Sequence, residues 1–387
     1  MEFPFNNDWI LSQLTDHCKD FVIEKGSDTI NNIAIKNVGK NGFLASVFLV
    51  IVEFSAGSNF EVIVKLCGRV LGDSDEPSFN DFFLNGLHNR ECLFYEILAP
   101  FLPIPIPKTY SFGTSISAKV CGFILMESLI GRGESFHFSQ SLTLGQMLEL
   151  AGFVAQLQSH AMLLKDQSWI EEFGQATFDM KAQIEVILSA FKRLKKIRNG
   201  ELKTEAEILA SLVNKNFTEF SQYKLHQKLQ IPPVLAHGDL LSTNVMWKTE
   251  NGQFSDKIER VFDFQGAHAG QPAWDLARFL VRCTDANLRV RHSEQVLRKY
   301  YATLEAILSD KGRVTPFTFE QIKECYDYAF VNQAIQFGCF LVFQKENLDV
   351  CEKENFEFLE TRFEKMFARG REALKEAVKM VNSLKCE

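Results

Sequence analysis

Two regimes of hydrophobic spacing divide the chain. Over residues 43–66, apolar residues come in short, dense runs. Val47-Phe-Leu-Val-Ile-Val52 is closed by Glu53, a Ser55-Ala-Gly-Ser-Asn59 turn cluster follows, and Phe60-Glu-Val-Ile-Val-Lys-Leu66 comes next. β-Branched and aromatic residues bounded by turn residues predict two strands joined as a hairpin. Before them, residues 1–36 read as helical and then irregular. After them, residues 68–87, rich in Gly, Asp, Ser and Asn, read as a loop. A helix is expected over 88–98, stopped by Pro100 and Pro103. Two further strands are expected over 108–113 and 120–126.

Beyond Met126 the period changes. Leu144, Met147, Leu148, Ala151, Val154, Ala155 and Gln158 recur at helical spacing. Residues 168–229 read as helical with a break at Asn199-Gly200, residues 234–264 as a strand-rich island, and residues 272–384 as mostly helical. The pattern predicts an α+β protein in two parts. A small β-rich unit with one clear helix spans 1–126, and a larger, mainly helical unit containing a short β island spans 127–387.

Composition narrows the function classes. Hydrophobic residues at 46% and charged residues at 24% describe an ordinary globular protein and exclude disordered or fibrous architectures. The balance of 42 Lys+Arg against 49 Asp+Glu, net −7, argues against general binding to nucleic acid, itself a polyanion. The densest apolar run is far shorter than the roughly 20 residues a membrane span requires. Residues 1–8 have neither the basic nor the apolar segment of a signal peptide. None of the nine cysteines forms a Cys-x-x-Cys pair, so reduced thiols and a cytoplasmic protein are expected.

The island carries the chemistry. It contains His237-Gly-Asp239, then Asn244, and 19 positions later Val261-Phe-Asp263-Phe-Gln265. Phosphoryl transfer asks a protein for a carboxylate that orients and deprotonates the attacking hydroxyl, and for hard oxygen ligands to Mg²⁺. A loop presenting Asp and then Asn five positions on, with a second Asp ending an apolar strand, offers both.

This set resembles the aminoglycoside phosphotransferase and choline kinase superfamily. Within it, the likeness is to the CHK kinase-like, ecdysteroid-kinase-like group. The resemblance implies a bilobal protein-kinase-like fold with ATP and Mg²⁺ as cofactors. Asp239 would be the catalytic base, with Asn244 and Asp263 binding the metal. It also implies roles for several nucleotide-binding residues. Gly39 and Gly42 flank a turn whose backbone approaches phosphates. Lys65, late in a strand, is the phosphate-binding lysine, and Glu91, on the following helix, is its partner. The segment ending in Glu127-Ser-Leu129 matches the family's hinge, where main-chain atoms around Glu127 and Leu129 meet the adenine. Asp275, in Pro272-Ala-Trp-Asp275, would hold the catalytic loop's backbone.

Asp263 and Asp275 are only 12 residues apart, and no Ala-Pro-Glu motif lies between them. Protein kinases place a long activation segment there. The expected acceptor is therefore a small-molecule hydroxyl, and the alternative reading is a catalytically inactive nucleotide- or metabolite-binding module. His160 reads as packing and His268 as a solvated loop residue. The basic stretch 192–198 precedes Asn199-Gly200 and reads as a helix end, where cations complement the dipole.

Overall fold

The computed structural model describes residues 5–39, 45–67, 79–114, 122–137, 139–176, 180–381 and 383–384, with backbone alone at 79–85 and 353. The chain divides into two compact units. One comprises residues 1–100 and 106–132, the other 101–105 and 133–387.

The first unit is a five-stranded antiparallel sheet with helices. In chain order it has α1 (Asn7–His17), α2 (Lys19–Lys25), β1 (Ile30–Asn37), β2 (Ala45–Phe54), β3 (Asn59–Cys67), α3 (Phe79–Ile97), β4 (Thr109–Gly113) and β5 (Phe123–Glu127). The sheet order is β1-β2-β3-β5-β4. Strand alternation separates its two faces. Phe48, Val50, Val52 and Phe54 of β2, with Val62, Val64 and Leu66 of β3, pack against Ile10, Leu14, Cys18 and Phe21 of α1 and α2. Lys65, between Val64 and Leu66, is on the opposite face.

Two expectations change in this unit. Residues 30–37 are a strand, with Ile33 to Asn37 opposite Val52 to Phe48. The helix expected over 88–98 begins at Phe79, inside the stretch that reads as a loop.

The second unit is mainly helical. Its elements are α4 (Leu144–Leu163), α5 (Trp169–Phe173), α6 (Met180–Leu194), α7 (Lys203–Leu212), α8 (Lys215–Glu219), α9 (Leu225–Lys228), β6 (Val234–Ala236), β7 (Val245–Glu250), β8 (Gln253–Val261), β9 (His268–Gly270), α10 (Trp274–Arg282), α11 (Ala286–Asp310), α12 (Phe319–Asp349) and α13 (Lys353–Val381). A Thr-x-x-Gln capping box opens both α4 (Thr143, Gln146) and α12 (Thr318, Gln321).

The break at Asn199-Gly200 is present: Arg198, Asn199 and Gly200 all have positive φ. The basic stretch before it is ion-paired, Arg193 with Glu346, Lys195 with Glu207 and Arg198 with Glu364.

The β island is two small pairs. β7 and β8 form a hairpin across Asn251-Gly252, whose φ values of 53° and 74° match a two-residue primed turn. β6 pairs antiparallel with β9 and all six of their residues are buried. Every residue of α10 is buried as well, so the segment between β6 and α10 is held on both sides. Among the described residues, no helix is long and apolar enough to cross a membrane.

Candidate active site

Strand β6 ends at Ala236, and the next three residues form a turn that cannot be built without glycine at its centre. Gly238 has φ +82°, and a Cβ there would sit 1.8 Å from the Gly266 carbonyl oxygen. That contact places the 237–239 loop directly on the segment following Asp263.

Asp275, fully buried on α10, accepts the His237 amide at 2.7 Å and the Gly238 amide at 2.9 Å. Burial pushes its carboxyl pKa up, against the pull of His237, those two amides and Arg278. The backbone-holding role implied for Asp275 is the arrangement observed.

The His237 ring fixes the loop from the other side. Its Nδ1 accepts the Asp239 amide at 3.2 Å, which leaves the proton on Nε2 to be donated to the Phe262 carbonyl at 3.1 Å. The Phe262 amide in turn donates to the Asn244 carbonyl at 3.1 Å. Phe262 thus ties together the two segments that carry Asp239, Asn244 and Asp263.

Asn244, 8% exposed, donates Nδ2 to the Asp239 carbonyl at 2.9 Å and lies 3.4 Å from Asp239 Oδ2. Its amide oxygen is thereby turned away from Asp239. Asp263 adopts a left-handed conformation (φ 72°, ψ 57°), and its Oδ2 accepts from Gln265 Nε2 at 3.2 Å. A non-glycine residue held there stores local strain, a feature that concentrates at functional sites.

The sequence reading missed Arg278. It donates Nε to Asp239 Oδ1 at 3.0 Å, adds Nη2 to the same oxygen, and places Nη1 on Gln333 and Gln336 of α12 at 3.1 and 2.9 Å. Asp239 Oδ1 is therefore engaged, and Oδ2 is the oxygen on the Asn244 side. An arginine one turn after Asp275 was the available signal, but its partner is 39 residues away in sequence.

His268 departs from expectation too. It is 1% exposed, donates Nδ1–H to the Gly266 carbonyl at 3.0 Å and packs against Tyr223 and Trp274. The β6–β9 pairing takes it out of solvent.

In the first unit, Lys65 Nζ meets Glu91 Oε2 at 2.5 Å, with the glutamate 1% exposed. Period-2 alternation turns the lysine toward α3 and away from the α1–α2 core. Gly39 packs so tightly on β2 that an added Cβ would lie 2.9 Å from the Val47 amide nitrogen. Gly42 is outside the described residues. Glu127 ends β5, its amide donating to the Lys108 carbonyl and its carboxylate engaged by the Lys108 amide and Arg132. Leu129 is buried, and its carbonyl accepts the Arg132 amide at 3.1 Å.

Comparison with known proteins adds to this geometry. The profile of the family DUF1679, described as "Uncharacterized oxidoreductase dhs-27", matches residues 49–372. An uncharacterized kinase-like protein of Caenorhabditis elegans is 25% identical over 285 residues, covering 72% of this chain and 73% of that protein. The uncharacterized oxidoreductase dhs-27 of the same organism is 25% identical over 328 residues, which are 80% of this chain but 39% of that protein. Its designation therefore names a protein of which this chain spans a minority.

Among solved structures, choline kinase from Cryptosporidium parvum superposes with a TM-score of 0.54 at 15% identity, covering 98% and 99% of the two chains. A Ralstonia eutropha protein assigned to the aminoglycoside phosphotransferases gives 0.53 at 13%, covering 96% and 99%. The fold is kinase-like, as the resemblance carried by Asp239, Asn244 and Asp263 implied.

Proposed function

Because this chain belongs to the DUF1679 family and has a kinase-like fold, we propose that it is an ATP-dependent phosphotransferase acting on a hydroxyl of a small molecule. The observation that carries the reading is the stitched loop in which Asn244 Nδ2 meets Asp239 and Phe262 binds the Asn244 carbonyl. Asp239 Oδ2, the oxygen Arg278 leaves open, takes the proton of the acceptor hydroxyl. The acceptor oxygen then bonds to the γ-phosphorus and the bond to ADP breaks.

The donor set fits Mg²⁺. Asn244 and Asp263 offer two hard oxygens, and the ion characteristically takes one or two protein ligands beside phosphates and water. Among the described residues, no group of three His, Cys, Asp or Glu side chains could hold a metal alone. When bound, the ion would neutralise charge on the transferred phosphoryl group.

In the first unit, Lys65, oriented by Glu91, is the phosphate-binding cation of this reading. The backbone near Gly39 and Gly42 approaches the phosphates, and main-chain atoms at Glu127 and Leu129 receive the adenine. The cytoplasm is the compartment that unbridged cysteines favour, and Cys18, Cys92, Cys283, Cys325, Cys339 and Cys351 form no disulfide.

The test is ADP release from Mg-ATP over a panel of hydroxyl compounds. Asp239→Asn abolishes turnover with nucleotide affinity nearly intact, whereas Asp263→Ala weakens Mg-ATP binding itself. Wild-type turnover in both variants refutes the assignment. Nucleotide binding without turnover on any acceptor supports the inactive-module reading instead.

A further inference from the structure

Helix α10 carries two arginines one turn apart, Arg278 and Arg282, laid on one face of α12. Arg278 makes four hydrogen bonds, two to Asp239 and one each to Gln333 and Gln336. Arg282 is 8% exposed, and what meets its guanidinium is aromatic: the rings of Phe337 and Phe340, 5.8 and 5.0 Å from Cζ. Among the described residues Arg282 makes no salt bridge. The other buried arginines of this region, Arg278, Arg289 and Arg369, pair with Asp239, Glu376 and Asp285.

Ring faces offset only part of the cost of burying a cation without a counter-ion. Burial and the adjacent Arg278 push the Arg282 pKa down to about 10, with Asp239 pulling the other way. A second donor is in surplus on α12, one turn before Phe337. Gln333 is fully buried, its Oε1 accepts from Arg278, and its Nε2 has no acceptor. Arg278, Arg282 and Asp239 together leave one positive charge over. The cluster lacks one anion and at least two hydrogen-bond acceptors.

We propose that the molecule phosphorylated by this protein carries an acidic group, a carboxylate, sulfate or phosphate, which Arg282 receives with Gln333 beside it. The inference rests on the phosphotransferase reading, because it takes Asp239 as the group that meets the acceptor hydroxyl. It also disfavours a quaternary ammonium acceptor. The rings that would receive such a cation are already covered by a guanidinium, and among the described residues the carboxylate at hand, Asp239, is held by Arg278.

Two measurements on the full chain test it. In the first, sulfate is titrated calorimetrically into protein held with Mg²⁺ and a non-hydrolysable ATP analogue. The wild type shows a saturable site whose affinity falls about 10- to 150-fold in Arg282→Met, the loss of one charge-assisted contact. Arg282→Lys, which keeps the charge, falls between them. Equal sulfate affinity in wild type and Arg282→Met, or no saturable site in the wild type, overturns the inference.

The second measurement compares ADP release with glucuronate, glucose and glucosamine, one ring carrying an anion, no charge or a cation. The acid is preferred, and the preference collapses in Arg282→Met. Preference for glucosamine, or a preference for the acid that survives in Arg282→Met, overturns the inference. Failure to bind the ATP analogue, or turnover indifferent to Asp239→Asn, counts against the phosphotransferase reading instead.

Discussion

Replacing Asp275 by Ala removes both acceptors from the two amides that begin the 237–239 loop, His237 N–H at 2.7 Å and Gly238 N–H at 2.9 Å. His237 and Asp275 are both fully buried, so bulk water does not take over at the His237 amide, whereas the Gly238 bond is partly buried and contributes toward the lower end of the usual range. A hydrogen bond to a charged acceptor contributes about 1.5–3 kcal/mol, so the pair together contributes about 3–6 kcal/mol. At about 1.4 kcal/mol per factor of ten, local opening becomes roughly 10²- to 10⁴-fold more frequent. Asp275→Asn keeps one acceptor oxygen and turns an NH₂ toward the other amide, so it shows about 10- to 150-fold at a single position. The assay is native-state hydrogen exchange read by mass spectrometry on peptides spanning residues 234–240, with a segment of α11 as the internal control. Faster exchange confined to residues 237–239, graded Ala above Asn, is expected. Unchanged protection in Asp275→Ala would show that β6–β9 pairing alone holds the loop and would refute the reasoning.

Three further outcomes follow from the same structure. Lys65→Met leaves the almost fully buried Glu91 carboxylate without its lysine, so it destabilises by about 3–5 kcal/mol in urea unfolding, and adding Glu91→Gln recovers part of the loss. Gly238→Ala combines a left-handed penalty of about 1–2 kcal/mol with a clash against the Gly266 backbone, whereas Gly252→Ala, at φ +74° with nothing within 4 Å, bears only the first cost; a larger fall in Tm at position 238 is the check. Burial raises the Asp327 carboxyl pKa to about 6, above its unfolded value near 4. The folded state therefore holds the proton more tightly, and stability falls as pH rises from about 4 to about 6. Asp327→Asn should flatten that window in a Tm–pH series and raise Tm at pH 7 relative to the wild type; a parallel pH profile in the variant contradicts this.

What the sequence made legible, and what it hid, follows from how local each signal is. The β2–β3 hairpin and α4 announce themselves through runs and periods that a few neighbouring residues determine. Strand β1 did not. Asn31, Asn32, Lys36 and Asn37 break the apolar pattern, and the strand exists because β2 offers a free edge to pair with. The chemistry of the loop was readable because Asp239, Asn244 and Asp263 lie close in sequence on a simple spacing. Arg278 and Arg282 were not, because their partners come from the 237–239 loop and from α12, and side-chain meetings across such separations leave no periodic trace. His268 looked solvated for the same reason, since β9 is too short to show a strand pattern of its own.

The family profile begins at residue 49, inside β2, whereas the first unit's core draws Ile10, Leu14, Cys18 and Phe21 from α1 and α2. A truncation drawn at the profile's boundary would remove both helices and β1. Val50, Val52, Phe54, Val62, Val64 and Leu66 would then face water as one apolar patch, and the remaining length of β2 would become an open sheet edge. Such a patch beside an unprotected edge invites chain-to-chain association. Helices α1 and α2 and strand β1 lie outside the stretch the family profile matches, yet the two helices cover the apolar face of the sheet that carries Lys65.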